Sequence, residues 1–324
     1  MNRLRVGFVG AGAHSGGKLY PALRQAGLDL VAVCARHAEH ARARAAEYNL
    51  DRYYSDYRQM CEREQLDAVL VCVGPQAHYE LGLDLLQRGY HVWTEKPAAA
   101  TSAQAYALAA AAKAAGRVYQ IGFNYRYTLG IRKVRALIEA GRFAPPALVA
   151  VRWWLGQPDP AFFALHYVVH AIDLLQYLLP GELSRAQVTR QREDDCDYIV
   201  ATFRAPSGAI GLLELSSNMN VNGHWSRVEL LGKAGMLSVK DFTGVTHYRT
   251  APSGRSAPPD APPYDGDQVW STESIYTKGA LVDAWGYVTG FDRFRRAVLG
   301  EQAPECTVEE AAWGLRVGEE LLPG

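Results

Sequence analysis

Short apolar stretches alternate with amphipathic, helix-like stretches over roughly the first 120 residues of this chain. The apolar stretches have the length and the β-branched content of buried strands, and they cover residues 4–9, 30–34, 68–73, 91–94 and 118–122. Strands that are joined by helices pair in parallel, and such a sheet is covered on both faces. The pattern therefore predicts an α/β domain over residues 1–122.

The pattern changes after residue 122, where longer, alternating strands are joined by turns rich in Gly and Pro. These strands predict an α+β domain over residues 123–324 with a large, open and mainly antiparallel sheet. A broad open face predicts a homodimer or homotetramer. Two terminal helices, near residues 281–299 and 307–322, are expected to pack back on the first domain, the second starting with a capping box at Thr307 and Glu310. The Pro- and Gly-rich segment 251–268 is expected to be a long loop.

The composition narrows the class of partner. The chain has 34 Lys+Arg and 34 Asp+Glu residues, which indicates neither a nucleic-acid nor an acidic-membrane partner. Its five cysteines show no CxxC spacing, which favours a reducing compartment. No apolar run approaches the ~18 residues of a membrane span, and the first strand begins too early for a signal peptide. We therefore expect a cytoplasmic protein whose partner is neither a nucleic acid nor a membrane, and the motifs below predict a small-molecule substrate instead.

A glycine-rich turn follows the first strand and precedes a helix, with Gly10 and Gly12 at its start. Two glycines permit a tight turn and a close approach to a pyrophosphate, which then binds at the helix N-terminus. The third position of this dinucleotide-binding fingerprint is Ser15 instead of Gly or Ala. Glycine turns are common after strands, but the position of this one, at the first strand–helix junction of an alternating domain, predicts dinucleotide binding.

The end of the second strand indicates which dinucleotide binds. NAD-binding proteins usually place an acid there, about 20 residues after the glycine turn, whereas this chain has Ala35, Arg36 and His37. A guanidinium can pair with a 2′-phosphate and stack on adenine. NADP is therefore favoured over NAD, the alternative being that Arg36 is a solvated loop residue.

A lysine stands at the end of another predicted strand, in the sequence Glu95-Lys96-Pro97. Pro97 ends that strand because it has no N–H to donate to a sheet. Ligands bind at the carboxyl edge of an open α/β sheet, and burial there lowers the pKa of an ammonium group into a range that suits proton transfer. Lys96 is thus a candidate catalytic residue, and the alternative is a surface lysine in a turn.

Four polar residues, His166, His170, Asp173 and Tyr177, are spaced to share one face of a predicted α-helix that is otherwise apolar. Polar groups on a buried helix need partners. Three interpretations stay open: a hydrogen-bonded pair of core histidines, a metal site, and one wall of a catalytic pocket. The metal site is the least favoured, because no further cluster of ligands accompanies these residues, and we predict no metal.

Taken in order, these segments resemble the Gfo/Idh/MocA family of oxidoreductases, named for glucose–fructose oxidoreductase and inositol dehydrogenase. The similar motifs extend over almost the whole chain: Gly10-Ala11-Gly12, residues 67–73 with Pro75 and His78, Glu95-Lys96-Pro97, residues 122–127, His170-Ala171-Ile172-Asp173 and residues 228–237. The resemblance implies a Rossmann domain, a second domain with an open antiparallel sheet, and a nicotinamide cofactor.

The resemblance also implies roles for single residues. Lys96 would contact the hydroxyl or carbonyl of the substrate, His170 would act as acid or base, and Arg126 and Asp173 would bind the substrate. The cofactor contacts expected from the glycine turn, the strand ends and the resemblance are Gly10, Gly12, Ala13, His14, Ala35, Arg36, His37, Val73, Gly74, Pro75, His78, Glu95, Lys96 and Asn124.

One position departs from the family pattern, which usually has an aspartate four residues before the histidine, where this chain has His166. An imidazole cannot orient a cation as a carboxylate does, so His166 is expected to join the catalytic and substrate-binding groups and to alter the substrate. The resulting hypothesis is an NAD(P)-dependent oxidoreductase, with NADP favoured, acting on a sugar- or cyclitol-like secondary alcohol or carbonyl. The alternatives are a cofactor-dependent glycosidase of the same fold, an imine reductase and a non-catalytic dinucleotide or sugar sensor.

Overall fold

The computed structural model describes residues 3–156, 159–194, 196–218, 224–233, 235–249, 268–270 and 281–322. The chain divides into two compact units, Met1–Asn124 with Gly286–Glu319, and Tyr125–Trp285 with Glu320–Gly324. The first boundary thus lies two residues beyond the one expected from the sequence. Within the described ranges, no helix has both the length and the apolar character that crossing a membrane demands. The predicted loop over residues 251–268 lies, except for its last residue, outside the described residues.

Strands and helices are numbered along the chain. The strands are β1 (Leu4–Val9), β2 (Leu28–Cys34), β3 (Tyr53–Tyr54), β4 (Ala68–Val71), β5 (His91–Thr94), β6 (Tyr119–Ile121), β7 (Leu148–Leu155), β8 (Ser184–Glu193), β9 (Cys196–Arg204), β10 (Ile210–Ser216), β11 (His224–Gly232), β12 (Gly235–Lys240), β13 (Gly244–Arg249) and β14 (Gln268–Trp270). The α-helices are α1 (Tyr20–Gln25), α2 (Ala38–Glu47), α3 (Tyr57–Arg63), α4 (Pro75–Gln87), α5 (Ser102–Ala115), α6 (Leu129–Glu139), α7 (Pro160–Phe163), α8 (Val169–Leu178), α9 (Leu281–Ala284), α10 (Tyr287–Val298) and α11 (Val308–Leu321).

The first unit contains a six-stranded sheet in the order β3-β2-β1-β4-β5-β6, with every neighbouring pair parallel. Its central strands β1 and β4 are mostly apolar, and all four residues of β4 are fully buried. Burial on both faces is what a parallel sheet covered by helices requires. The strand order reverses between β1 and β4, and ligands of open α/β sheets bind at such a reversal.

The helix ends of this unit follow from local sequence. Thr101 caps α5 by accepting a hydrogen bond from the Gln104 N–H at 3.3 Å. Thr307 and Glu310 form a reciprocal capping box before α11, with the Glu310 carboxylate accepting from the Thr307 N–H at 2.7 Å and the Thr307 hydroxyl accepting from the Glu310 N–H at 3.3 Å. This confirms the capping box predicted from the sequence.

The second unit contains an eight-stranded sheet in the order β14-β13-β12-β11-β7-β10-β9-β8. Its neighbouring strands are antiparallel except for β7 and β10, which are parallel. Helix α8 packs against β7 and β10, and α6 packs against β12 and β13. The helices cover the face that carries Trp153, Phe203 and Leu213, all almost fully buried. The opposite face exposes Val200 and Tyr248, as expected for a sheet with one open face.

Candidate active site

Gly10 shapes the turn that follows β1. Its φ is +125°, which side-chain-bearing residues rarely adopt, and a Cβ atom there would lie 2.2 Å from the backbone oxygen of Cys72. The Gly10 N–H donates to the Cys34 carbonyl at 2.8 Å, and the Gly10 carbonyl accepts from the Tyr20 hydroxyl at 2.8 Å. A glycine is therefore required where the ends of β1, β2 and β4 meet.

A cavity of about 710 Å³ lies at these strand ends. Of the predicted cofactor contacts, it is lined by Gly10, Gly12, Ala35, Arg36, His37, Val73, Gly74 and Pro75. Sequence reasoning missed other lining residues, among them Ser55 and His40. Ser55 follows β3, so the rule that ligands bind at strand ends could have identified it, and His40 lies one helical turn after His37. The cavity volume and the side-chain-free turn fit part of a dinucleotide.

The helix that follows the glycine turn begins as a π-helix over Ser15–Leu19 and continues as α1. Ser15 is 1% exposed, and its hydroxyl donates to the Gly12 carbonyl at 3.0 Å. The serine at the third fingerprint position therefore closes the turn through a hydrogen bond that glycine or alanine cannot make. A Cβ atom at Gly16 would lie 2.1 Å from the Arg44 guanidinium, so the next glycine admits that side chain. Single π-turns of this kind are frequent at functional sites.

Glu95 links this turn to the end of β5. Its carboxylate is 5% exposed, and Oε1 lies 3.3 Å from Nε2 of His14, whose ring is half exposed. Oε2 accepts a hydrogen bond from the backbone N–H of Lys96 at 2.8 Å. Two predicted cofactor contacts, His14 and Glu95, are thus held together, next to the exposed Ala13.

Lys96 stands at the carboxyl edge of the parallel sheet, before a cis peptide bond to Pro97. Burial lowers the pKa of the Lys96 ammonium below its usual range, and the nearby Glu95 carboxylate only partly opposes this shift. Asn124 follows β6, which pairs with β5, so it stands at the same edge of the sheet. It is 8% exposed and does not line the 710 Å³ cavity.

His78 differs from its predicted role as a cofactor contact. The residue is fully buried, its Nε2 accepts from the Val73 N–H at 3.1 Å, and its Nδ1 lies 2.8 Å from the Pro97 carbonyl. Because the backbone N–H can only donate, the ring proton is on Nδ1 and is donated to Pro97. Burial lowers the pKa of His78, which keeps the ring neutral. His78 therefore holds the backbone at Val73 and at Pro97 in place, and it presents neither ring nitrogen to a ligand.

In the second unit, His170 lies on α8 and is 3% exposed. The Tyr125 ring packs edge-on against the imidazole with a centroid distance of 4.6 Å, and the Trp153 ring lies at 5.8 Å. Two aromatic rings thus fix the orientation of the predicted acid/base residue. This part of the chain belongs to a different unit from Lys96.

Arg126 and Asp173, both predicted to bind substrate, form a buried ion pair. The Asp173 carboxylate accepts from Nε of Arg126 at 2.9 and 3.0 Å and from Nη2 at 2.6 Å, and both side chains are at most 4% exposed. The guanidinium also lies 5.1 Å from the Tyr177 ring centroid. This geometry points to an anchor for α8 rather than to a substrate ligand. Within the described ranges, no group of three His, Cys, Asp or Glu side chains could hold a metal ion.

His166 lies in a second π-helical segment, Ala164–Val168, which interrupts the continuous α-helix predicted from the sequence. The backbone N–H of Val169 reaches the carbonyl of Ala164, five residues earlier, so the α-helical spacing between His166 and His170 does not hold. The His166 ring stacks on Phe162 with a centroid distance of 4.1 Å and an interplanar angle of 28°. Phe162 is 41% exposed, and sequence reasoning did not identify it.

Two family models match the chain. One, described as an oxidoreductase family with an NAD-binding Rossmann fold, matches residues 4–123, and the other, the Gfo/Idh/MocA C-terminal domain, matches residues 131–238. The first match ends next to the unit boundary at Asn124, and the second runs from α6 into β12. The two family models therefore match parts of both units of the structure.

Known proteins also resemble the chain, over two thirds of its length or more. The inositol 2-dehydrogenase of Salmonella typhimurium is 27% identical over 225 residues, which is 67% of this chain but only 66% of that enzyme. A dehydrogenase structure from Chromobacterium violaceum has a TM-score of 0.88 at 23% identity and covers 99% of this chain and 95% of its own. The structure of a levoglucosan dehydrogenase in complex with NADH and L-sorbose has a TM-score of 0.82 at 17% identity and covers 100% of this chain and 96% of its own. The two structures share the fold described above.

Proposed function

We propose, from the premise that this chain belongs to the Gfo/Idh/MocA family of oxidoreductases, that it is an NADP-preferring dehydrogenase of a sugar- or cyclitol-like secondary alcohol. One relative is named for inositol, a cyclitol, and a protein of the same fold is named for levoglucosan, a sugar. The observation that carries the proposal is Lys96, a lysine of lowered pKa at the sheet edge that also bears the glycine turn. That combination supplies a proton-transfer group beside a dinucleotide site.

The roles of the side chains follow from this placement. When bound, the nicotinamide supplies the hydride chemistry, exchanging a hydride with the carbon of the secondary alcohol. Lys96, once deprotonated, accepts the hydroxyl proton, and in its charged form it stabilises negative charge on the substrate oxygen. Glu95 orients Lys96 through the backbone hydrogen bond. Because the oxidation releases only one proton, we assign to His170, whose ring packs against Tyr125, a share with Lys96 in handling that same hydroxyl proton.

The preference for NADP rests on the charges at the adenosine end of the cavity. Arg36 is exposed at the end of β2 and lines the cavity together with His37 and His40. The nearby Glu39 lies 3.8 Å from His37 and does not line the cavity. A guanidinium suits a 2′-phosphate, whereas an NAD-binding site usually offers an acid to the 2′-hydroxyl.

The function is tested by incubating the purified protein with a panel of cyclitols and sugars and with NADP⁺ or NAD⁺. We expect net formation of reduced nicotinamide, with kcat/KM about tenfold or more higher for NADP⁺, as a charge-assisted contact to the 2′-phosphate predicts. A glycosidase would cleave its substrate with no net change in nicotinamide absorbance, and a sensor would bind without turnover. An imine reductase would turn over only imines.

The cofactor preference has its own matched variants. Arg36→Ala should raise KM for NADP⁺ about tenfold and leave KM for NAD⁺ nearly unchanged. Arg42→Ala removes another exposed arginine of the same region, on α2 and outside the cavity, and should change neither value. Equal effects of Arg36→Ala on both cofactors would contradict the assignment of Arg36.

We further propose that the open face of the eight-stranded sheet joins two copies of this chain. Arg152 lies at its centre, pairs with Glu214 at 2.8 Å and also bonds to Glu229. The same face carries exposed apolar side chains on other strands, including Tyr248 at 42% exposure. Exposed apolar side chains on an open sheet face favour its burial by a partner, and the pairing of Arg152 with carboxylates lowers the cost of burying its charge there.

The assembly is tested by light scattering during size-exclusion chromatography. Tyr248→Glu should weaken the dimer at least about tenfold, because it places an unpaired charge in the interface. Tyr106→Glu is the matched control, since Tyr106 is a similarly exposed tyrosine (39%) on α5 of the other unit. A monomeric wild-type protein, or equal dissociation by both variants, would refute the proposed interface.

A further inference from the structure

A second cavity of the first unit lies at the starts of the parallel strands, where β1, β4 and β5 begin. Its volume is about 620 Å³, within the range of small-molecule sites. Because the strands are parallel, this edge of the sheet is opposite the edge that carries the glycine turn and Lys96. The cavity therefore plays no part in the proposed dehydrogenase function.

The charges that line this cavity are unbalanced. Arg3, Arg5 and Arg117 line it, together with one carboxylate, Asp67. The orientation of Arg5 is fixed, since its Nε donates to a backbone carbonyl at 2.7 Å and its Nη1 lies 3.8 Å from the carboxylate of Asp29, which does not line the cavity. The Asp67 carboxylate accepts a hydrogen bond from the Arg5 backbone N–H at 2.8 Å, which partly satisfies it. Three guanidinium groups thus stand against two carboxylates, and the remaining positive charge of a concave site attracts anions.

His91 supplies a further donor. Its Nδ1 accepts a hydrogen bond from the Val118 N–H at 3.0 Å, and burial, followed by the charge of Arg117, lowers the pKa of the ring. The ring is therefore neutral at neutral pH, and its proton is on Nε2. The Arg117 Nη1 atom lies only 3.5 Å from that Nε2 atom. Two donors thus approach the same point, and neither can donate to the other.

One acceptor that bears negative charge would satisfy both donors at once, and the remaining arginines would hold its other oxygens. Leu66 and Leu299 line the cavity on its apolar side, which suits an organic body attached to the anionic group. We propose that this cavity binds a small phosphate ester or a comparable organic dianion. His91 Nε2 and Arg117 contact one phosphate oxygen, and Arg3 and Arg5 contact the others.

The test uses inorganic pyrophosphate as the probe, in metal-free buffer at low salt, with binding measured by calorimetry. The whole 324-residue chain is titrated with and without saturating NADPH, which separates this site from the cofactor cavity. We expect saturable binding that persists with NADPH. Arg117→Gln should weaken it at least about tenfold, and Arg117→Lys should weaken it less, because lysine keeps the charge but not the planar fork.

Arg63→Gln is the control, because Arg63 is exposed on α3 and lies outside the cavity. This variant should bind pyrophosphate like the wild type. Thermal unfolding of each variant checks that a surface substitution has not altered the fold. The proposal is overturned if NADPH abolishes all binding, if Arg117→Gln and Arg63→Gln have the same effect, or if the wild type shows no saturable binding at millimolar pyrophosphate.

Discussion

Lys96→Met is expected to lower kcat about a thousandfold while changing the dissociation constant for NADP⁺ less than about threefold. Methionine fills a similar volume but can neither accept a proton nor stabilise an oxyanion. The glycine turn and the 710 Å³ cavity do not include Lys96, so the contacts that those residues offer to a cofactor stay intact. Turnover is measured by nicotinamide absorbance, and cofactor binding is measured separately by calorimetry.

The same substitution should raise the melting temperature. Burial lowers the pKa of Lys96 in the folded protein relative to the unfolded chain, so the unfolded state binds more protons between the two values. Lysine 96 therefore destabilises the fold most below its lowered pKa, and this cost fades as the pH rises towards the unfolded value. Methionine removes the cost, so the gain in melting temperature over the wild type should shrink at alkaline pH.

Lys96→Arg provides the control for charge. Arginine keeps the cation but does not release its proton, so alcohol oxidation should stay slow even at high pH. In the wild type, kcat/KM for oxidation should rise with pH as Lys96 loses its proton. A variant Lys96→Met with unchanged kcat would remove Lys96 from the mechanism, and a loss of cofactor affinity that matches the loss of kcat would make it a binding residue.

The parts of the fold that depend on local sequence were predictable. The strand β1 and the turn at Gly10 follow each other directly in the sequence. A mostly apolar run predicts the strand, and the glycine that follows predicts a turn of positive φ. The capping box of Thr307 and Glu310 is equally local. Lys96 could be identified because Pro97 marks the strand end and the sheet topology makes that end a ligand site.

Other features depend on partners that are distant in sequence. Arg126 and Asp173 are 47 residues apart, and no spacing rule shows that they neutralise each other. The ring of His78 reaches Pro97, 19 residues later, which turns an expected ligand contact into a support for the loop. The π-helical segments are also invisible to periodicity, because a shift from the fourth to the fifth residue in hydrogen bonding leaves the apolar pattern almost unchanged.

The second large effect is expected on stability, at the buried ion pair between Arg126 and Asp173. Asp173→Ala is expected to destabilise the second unit by about 3–5 kcal/mol, because it leaves the buried guanidinium of Arg126 without its carboxylate. Replacing both residues, as in Arg126→Met with Asp173→Leu, should cost much less than Asp173→Ala alone, since apolar pairs often substitute for buried ion pairs. Urea unfolding, followed by a probe specific for this unit, measures the difference.

The kinetic behaviour of Asp173→Asn separates an anchor from a substrate ligand. An anchor for α8 acts through His170, three residues earlier on the same helix, so its loss should lower kcat in parallel with stability and leave KM nearly constant. Removing a substrate ligand would instead raise KM while the urea midpoint stayed the same. The three hydrogen bonds between Arg126 and Asp173 favour the first result, because a carboxylate bound in this way would have to give up buried ionic contacts before it could bind a hydroxyl group.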